Sequence, residues 1–164
     1  MAKIVVGVMG AGESATSEDI EVAYRLGKSI AENGWVLLTG GRTGVMDAAS
    51  RGAKAAGGLT VGILPNQDTT GMSEAIDLAI ITDMGNARNN INVLSSKVVI
   101  ACGIGLGTAS EIALALKNGK SVVLLNTTEL TYRFFNSLAE DRVFIAQNVD
   151  NAIALTKEIL LDLK

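Results

Sequence analysis

The sequence contains no histidine, one cysteine, one proline and only 4% aromatic residues in 164. Each shortage removes a class of function. Without histidine there is no serine triad and no histidine-based zinc site, because the commonest general base and metal ligand is missing. Cys102, being alone, cannot form an internal disulfide. The net charge is −3 and no basic cluster occurs, so the positive stripe that a nucleic-acid partner requires is absent. No apolar run approaches the roughly 20 residues of a membrane-crossing helix, and the N-terminus does not resemble a signal peptide. These absences predict a cytoplasmic protein with no membrane or nucleic-acid partner.

What is present is small and aliphatic. Hydrophobic residues make up 48% of the chain, glycines number 18 and mean hydropathy is +0.34. Such a composition suits a compact α/β domain in which parallel strands are buried on both faces. No linker, repeat or low-complexity segment interrupts it, so one Rossmann-like domain over 1–164 is expected.

The central stretch is 95–111, SSKVVIACGIGLGTASE. Residues 97–102 read as a buried strand, 103–108 as a glycine-rich turn and 109–117 as a helix. A strand, a glycine turn and a helix N-terminus present free backbone N–H groups and a positive dipole to an anion. Two further junctions repeat the pattern. Strand 3–9 leads into Gly10 and Gly12, then a helix with Ser17 as N-cap running to about residue 32. Strand 35–39 leads into Gly40-Gly41-Arg42-Thr43-Gly44, then a helix over 45–56. Strand 59–64 ends at Pro65, and 66–74 is read as a polar loop that could serve as a flap over the site. Strand 78–82 precedes Asn86, Arg88 and Asn89, which open a helix over 87–96. Strands at 121–125 and 143–145 follow, with a short helix near 132–138 between them and an amphipathic helix over 149–163. This alternation predicts a doubly wound, mostly parallel sheet of about seven strands flanked by helices.

In such a sheet, ligands bind where strand order reverses, at the carboxyl ends of the strands. The glycine junctions, Arg88, Asn86 and Asn89 would converge there on a phosphate and a ring with hydrogen-bonding edges. Each has a plainer explanation when taken singly. Glycines close tight turns, Arg42 reads as a solvated surface residue, and Glu111 could be a dipole partner in the first turn. Cys102 reads as a buried hydrophobe, and Met9, Met46 and Met84 as packing residues. The arginine at a helix start is unfavourable by itself, and an anionic ligand accounts for it better. A dinucleotide fingerprint is incomplete, since the first turn lacks its third glycine and the second strand ends without an acid. No Gly-Lys-Ser/Thr forms a Walker A loop, so no dinucleotide or P-loop nucleotide cofactor is expected.

These residues resemble the LOG-type, lysine-decarboxylase-like (SLOG) superfamily of Rossmann proteins. Its hallmark P-G-G-x-G-T-x-x-E aligns with Gly103-Ile104-Gly105-Leu106-Gly107-Thr108-Ala109-Ser110-Glu111, and its G-G-x-x-G-x-M with Gly40-Gly41-Arg42-Thr43-Gly44-Val45-Met46. The resemblance implies a homodimer and gives Met46, Leu106 and the motif glycines a place in the site. Lysine decarboxylation is not expected, because no pyridoxal-phosphate lysine context is visible. The cytokinin-activating phosphoribohydrolases of the superfamily carry an Arg-Lys pair where this chain has Arg88-Asn89. They also carry Pro-Gly where it has Gly103-Ile104. The string 87–96, ARNNINVLSS, is instead similar to the molybdenum cofactor carrier proteins. That likeness implies storage and delivery of molybdenum cofactor, with Gly103–Thr108 and Gly40–Gly44 holding phosphate and metal oxygens and Arg88 countering charge. Transient contact with molybdoenzymes is implied too. The alternative is hydrolysis of a nucleoside 5′-monophosphate, with Glu111 assisting water at the anomeric carbon and Arg88 fixing the phosphate. A nucleotide sensor without catalysis is the third reading.

Overall fold

The computed structural model describes residues 2–163; the expected domain 1–164 includes Met1 and Lys164, which lie outside them. Seven strands form one sheet in the order β4-β3-β2-β1-β5-β6-β7, and every neighbouring pair is parallel. The strands are β1 (Val5–Gly10), β2 (Val36–Thr39), β3 (Thr60–Leu64), β4 (Leu78–Ile81), β5 (Val98–Cys102), β6 (Val122–Leu125) and β7 (Val143–Ala146). The helices are α1 (Ser17–Glu32), α2 (Val45–Ala55), α3 (Asn89–Ser95), α4 (Leu106–Lys117), α5 (Glu129–Asn136) and α6 (Val149–Asp162). This is the doubly wound α/β fold that the alternation of elements predicted.

Strand residues alternate between two cores. Val6, Val8, Leu37, Ile100 and Leu125 pack with α1, α2 and α6 on one face. Met9, Leu38, Val99, Ala101 and Leu124 pack with α3, α4 and α5 on the other. β4 departs from two-sided burial: it is an edge strand, and Leu78, Ile80 and Ile81 are exposed. Among the described residues no helix is long and apolar enough to cross a membrane.

Local chemistry sets the helix boundaries. α1 begins one residue earlier than Ser17 as a cap would give, because Thr16 is the N-cap. Its hydroxyl accepts from the Asp19 N–H at 3.1 Å, and the Asp19 carboxylate accepts from the Thr16 N–H at 2.9 Å. This capping box satisfies two donors that would otherwise be orphaned. α4 starts at Leu106 rather than Ala109, so Gly107 and Thr108 belong to its first turn and not to the preceding loop. Glu111 consequently sits in the second turn. α5 begins at Glu129, capped by Thr128, rather than near residue 132. Strand order reverses between β1 and β5, and the loops leaving those two strands frame the crevice that matters for function.

Candidate functional site

A cavity of about 210 Å3 lies at the carboxyl ends of β1 and β5. One wall is the turn after β1, contributing Gly10, Ala11, Gly12 and Ser14. The opposite wall is the start of α4, with Gly105, Leu106, Gly107, Thr108 and Glu111. Asn86, Arg88 and Asn89 close it from the segment before α3, and Met46 reaches in from α2. Eleven sequence-predicted site residues are thereby brought together from four separate segments.

The start of α4 has Gly105 as its N-cap and no side chain capping it. Its first-turn N–H groups face the crevice with the positive end of the helix dipole behind them. Thr108 is 2% exposed and its hydroxyl has no hydrogen-bond partner among the described residues. Leu106, 94% exposed, stands at the mouth.

Arg88 is the dominant charge. It is 8% exposed, yet Nε and Nη1 make no hydrogen bond among the described residues. Burial pushes its pKa down, the Glu111 carboxylate pulls it up and the Arg42 guanidinium pushes it down. No direct ion pair joins Arg88 to Glu111 among the described residues. A buried guanidinium with idle donors is expensive unless something anionic completes it.

Glu111, 7% exposed, accepts a 2.8 Å hydrogen bond from Asn92 Nδ2. Burial raises its pKa, while the Asn92 hydrogen bond and the Arg88 charge lower it; the net shift is upward. Asn92 was not singled out in the sequence. Its spacing of four from Arg88 puts both on one face of a helical turn, and that signal was available. Asn89 donates to the Ser110 hydroxyl at 3.1 Å, tying the start of α3 to α4.

The remaining predicted residues lie elsewhere. Gly103 has φ +70, and a Cβ there would strike the Asp19 carboxylate. Its N–H donates to the Leu125 carbonyl at 2.9 Å, so it shapes a turn beneath the site rather than lining it. Gly44 has φ +67, and a Cβ would overlap the carbonyl oxygens of Gly12 and Ala11. This glycine lets α2 dock against the turn after β1, where the Val45 N–H donates to the Ala11 carbonyl at 2.9 Å. Gly41 turns back so that its N–H donates a 3.0 Å hydrogen bond to Thr39 Oγ1. Gly40 lies under Arg88: a Cβ would collide with Nη1. It therefore acts by leaving room for the guanidinium. Thr43 and Gly44 line a second, larger cavity of about 770 Å3 beside Arg42. The turns at Gly10–Gly12 and Gly105–Gly107 meet at the smaller one, which also carries the unpartnered buried donors of Arg88 and Thr108.

The loop over 66–74 borders the larger cavity and contributes no residue to the crevice. Its far end is pinned, with the Ser73 N–H on the Gly41 carbonyl at 2.9 Å and the Ser73 hydroxyl on Asp47 at 2.7 Å. It does not cover the site as a flap. Cys102 is fully buried under Asp19, and burial pushes its thiol up to about 12. It therefore stays a thiol and offers no soft-metal ligand. Among the described residues no cluster of three or more Cys, Asp or Glu side chains is placed to hold a metal ion.

Comparison with known proteins follows the same lines. The molybdenum cofactor binding protein from the phototrophic bacterium Rippkaea orientalis is 60% identical, with a TM-score of 0.96 over 98% of this chain and 99% of that one. The molybdenum cofactor carrier protein of Chlamydomonas reinhardtii is 50% identical, with a TM-score of 0.94 and the same coverage of 98% and 99%. A more distant relative is the cytokinin riboside 5′-monophosphate phosphoribohydrolase of Mycobacterium tuberculosis. It is 32% identical over 117 residues, which span 70% of this chain and 63% of that protein. The SLOG cluster4 family model matches residues 3–153, and the chain belongs to that family.

Proposed function

We propose that this protein binds, holds and protects molybdenum cofactor, as cargo, for delivery to molybdoenzymes. One observation carries the reading: the buried Arg88 guanidinium holds two idle donors beside the uncapped start of α4 and the idle Thr108 hydroxyl. Together they form a water-poor anion site suited to the terminal phosphate of a pterin. Gly12 and Gly105 allow backbone approach, Gly10 makes room for Val45 behind the turn, and Asn86 and Asn89 offer amide edges to a pterin ring. The likeness to the cofactor-binding proteins of Rippkaea orientalis and Chlamydomonas reinhardtii, over nearly the whole chain, supports the same cargo. The unit that does this is a single Rossmann-like domain working as a cytoplasmic homodimer, for which the exposed apolar edge of β4 supplies contact surface.

Transfer tests it. Protein loaded anaerobically should restore activity to a cofactor-free molybdoenzyme after exposure to air that inactivates free cofactor. Restoration no better than that from free cofactor overturns the proposal.

A second reading draws on Glu111. A buried carboxylate with a raised pKa, held by Asn92 in the same crevice, has the makings of an acid/base group for N-glycosidic cleavage. In that reaction Glu111 assists water at the anomeric carbon and Arg88 holds the 5′-phosphate. Release of adenine from AMP, abolished in Glu111→Gln, would establish it. Absence of release leaves carriage as the function.

A further inference from the structure

Asn92 holds a buried acceptor that anion binding does not explain. The residue is fully buried. Its Nδ2 donates to Glu111 Oε1 at 2.8 Å, but Oδ1 of the same amide has no hydrogen-bond partner among the described residues. An orphaned buried carbonyl costs free energy. An anion cannot relieve it, because an anion and a carbonyl oxygen are both acceptors. Only a group that carries a proton can. An amide and a neutral carboxylic acid pair through two hydrogen bonds, N–H to one oxygen and O–H to the other. A proton on Glu111, already joined to this amide, supplies the missing donor.

Charge points the same way. Glu111 lines the crevice and is buried, yet its hydrogen bond comes from a neutral amide. No ion pair joins it to Arg88 among the described residues. Burial raises its pKa against the smaller opposing effects of Asn92 and Arg88. Arg88 and Glu111 are the ionisable groups among the lining residues; the turn after β1 contributes Ser14, α2 contributes Met46, and Asn86 and Asn89 are neutral. Met9, Ala101 and Leu124, from the strands behind α4, are apolar. Arg42 adds a second positive charge that acts on Arg88. An ionised Glu111 would set a carboxylate in the same small space as the phosphate, where like charges repel.

We propose that Asn92 keeps Glu111 as a neutral carboxylic acid when the crevice holds a dianion, so that anion binding and a proton on Glu111 are coupled. The coupling rests on the anion site proposed above and deepens it. Asn92 Nδ2 serves either form of the carboxyl group, whereas Oδ1 bonds only to the acid. A protonated Glu111 leaves the Arg88 charge wholly to the ligand. Linkage is reciprocal: a bound dianion holds the proton on Glu111, and loss of that proton weakens the hold on the anion. Retention of a phosphate-bearing cargo thereby depends on pH through one residue.

The test uses inorganic sulfate, a tetrahedral dianion that, unlike phosphate, does not titrate between about pH 5 and about pH 9, the range a raised carboxyl group covers. Affinity and proton uptake are measured by calorimetry in buffers of different ionisation enthalpy, for wild type and Glu111→Gln. Wild-type affinity should fall at least about tenfold from the acid to the alkaline end, with uptake of up to about one proton per sulfate. Glutamine keeps the paired hydrogen bonds and has no proton to titrate, so Glu111→Gln should bind sulfate with one affinity throughout and take up none. Sulfate-loaded wild type should also show, at neutral pH, an infrared carboxylic-acid band that Glu111→Gln lacks. Wild-type binding that is level with pH and takes up no proton, a matching pH dependence in Glu111→Gln, or absence of the band overturns the coupling. A wild type that binds no sulfate at any pH is a different failure, and it removes the anion site itself along with the coupling.

Discussion

Replacing Arg88 with methionine separates the fold's interest from the ligand's. The guanidinium is buried, and two of its nitrogens have no partner among the described residues. An unsatisfied buried donor costs about 1–3 kcal/mol, and replacing a buried ion pair by apolar groups is neutral or stabilising by about 1–4 kcal/mol, whereas removing one partner leaves the other charge uncompensated. Against this, Glu111 loses a favourable charge. Glu111 keeps its 2.8 Å hydrogen bond from Asn92, and its pKa is already raised, so it can neutralise by taking up a proton. The balance predicts that Arg88→Met is more stable by about 1–2 kcal/mol, near 2–8 °C in Tm for a domain of this size. Ligand response should run the other way. Phosphate at a hundred times its Kd stabilises a binding protein by about 2.7 kcal/mol. The variant should show less than about half of the wild-type gain in this linkage. Thermal melts of both proteins with and without phosphate supply the measurement. A less stable Arg88→Met with an undiminished phosphate response would refute the reasoning and make Arg88 a structural residue.

Other perturbations have distinct expected outcomes. Gly40→Ala should leave a folded protein, since the colliding atoms are the tips of Arg88 and Met46. It should weaken cofactor retention, as measured by gel filtration, by displacing the guanidinium. Gly44→Ala meets backbone carbonyls at a positive φ, and urea unfolding should show a loss of at least about 2 kcal/mol. Glu111→Gln should be more stable than wild type at pH 7. Glu111 has a raised folded-state pKa, so the native state binds its proton more tightly and wild type loses stability as pH rises above the ordinary value of 4.5. The advantage should vanish below that value, and a pH series of urea midpoints that stays parallel would contradict it.

The fold was legible because its strands are continuous apolar runs and its glycines fall at strand ends, both consequences of local geometry. The start of α4 was misplaced because Gly105 and Gly107 read as loop. Glycine is cheap in a first turn, whose N–H groups have no intrahelical acceptors. Glycines mark where a backbone needs space without saying what fills it. At Gly44 the turn after β1 fills it, at Gly103 the Asp19 carboxylate does, and at Gly40 the Arg88 side chain does. Asn92 was missed because its partner Glu111 lies 19 residues away on another helix. The position of the 66–74 loop depends on Ser73 reaching Asp47 and Gly41, tertiary contacts with no periodic signature.

Side-by-side anaerobic loading with molybdenum cofactor tests the central claim most directly. Wild-type protein and Arg88→Met are passed over gel filtration, and pterin and molybdenum are quantified in each protein peak. The account predicts near-stoichiometric retention of both by wild type and almost none by the variant. Equal retention by the two proteins, or a wild-type peak empty of pterin and metal, contradicts it.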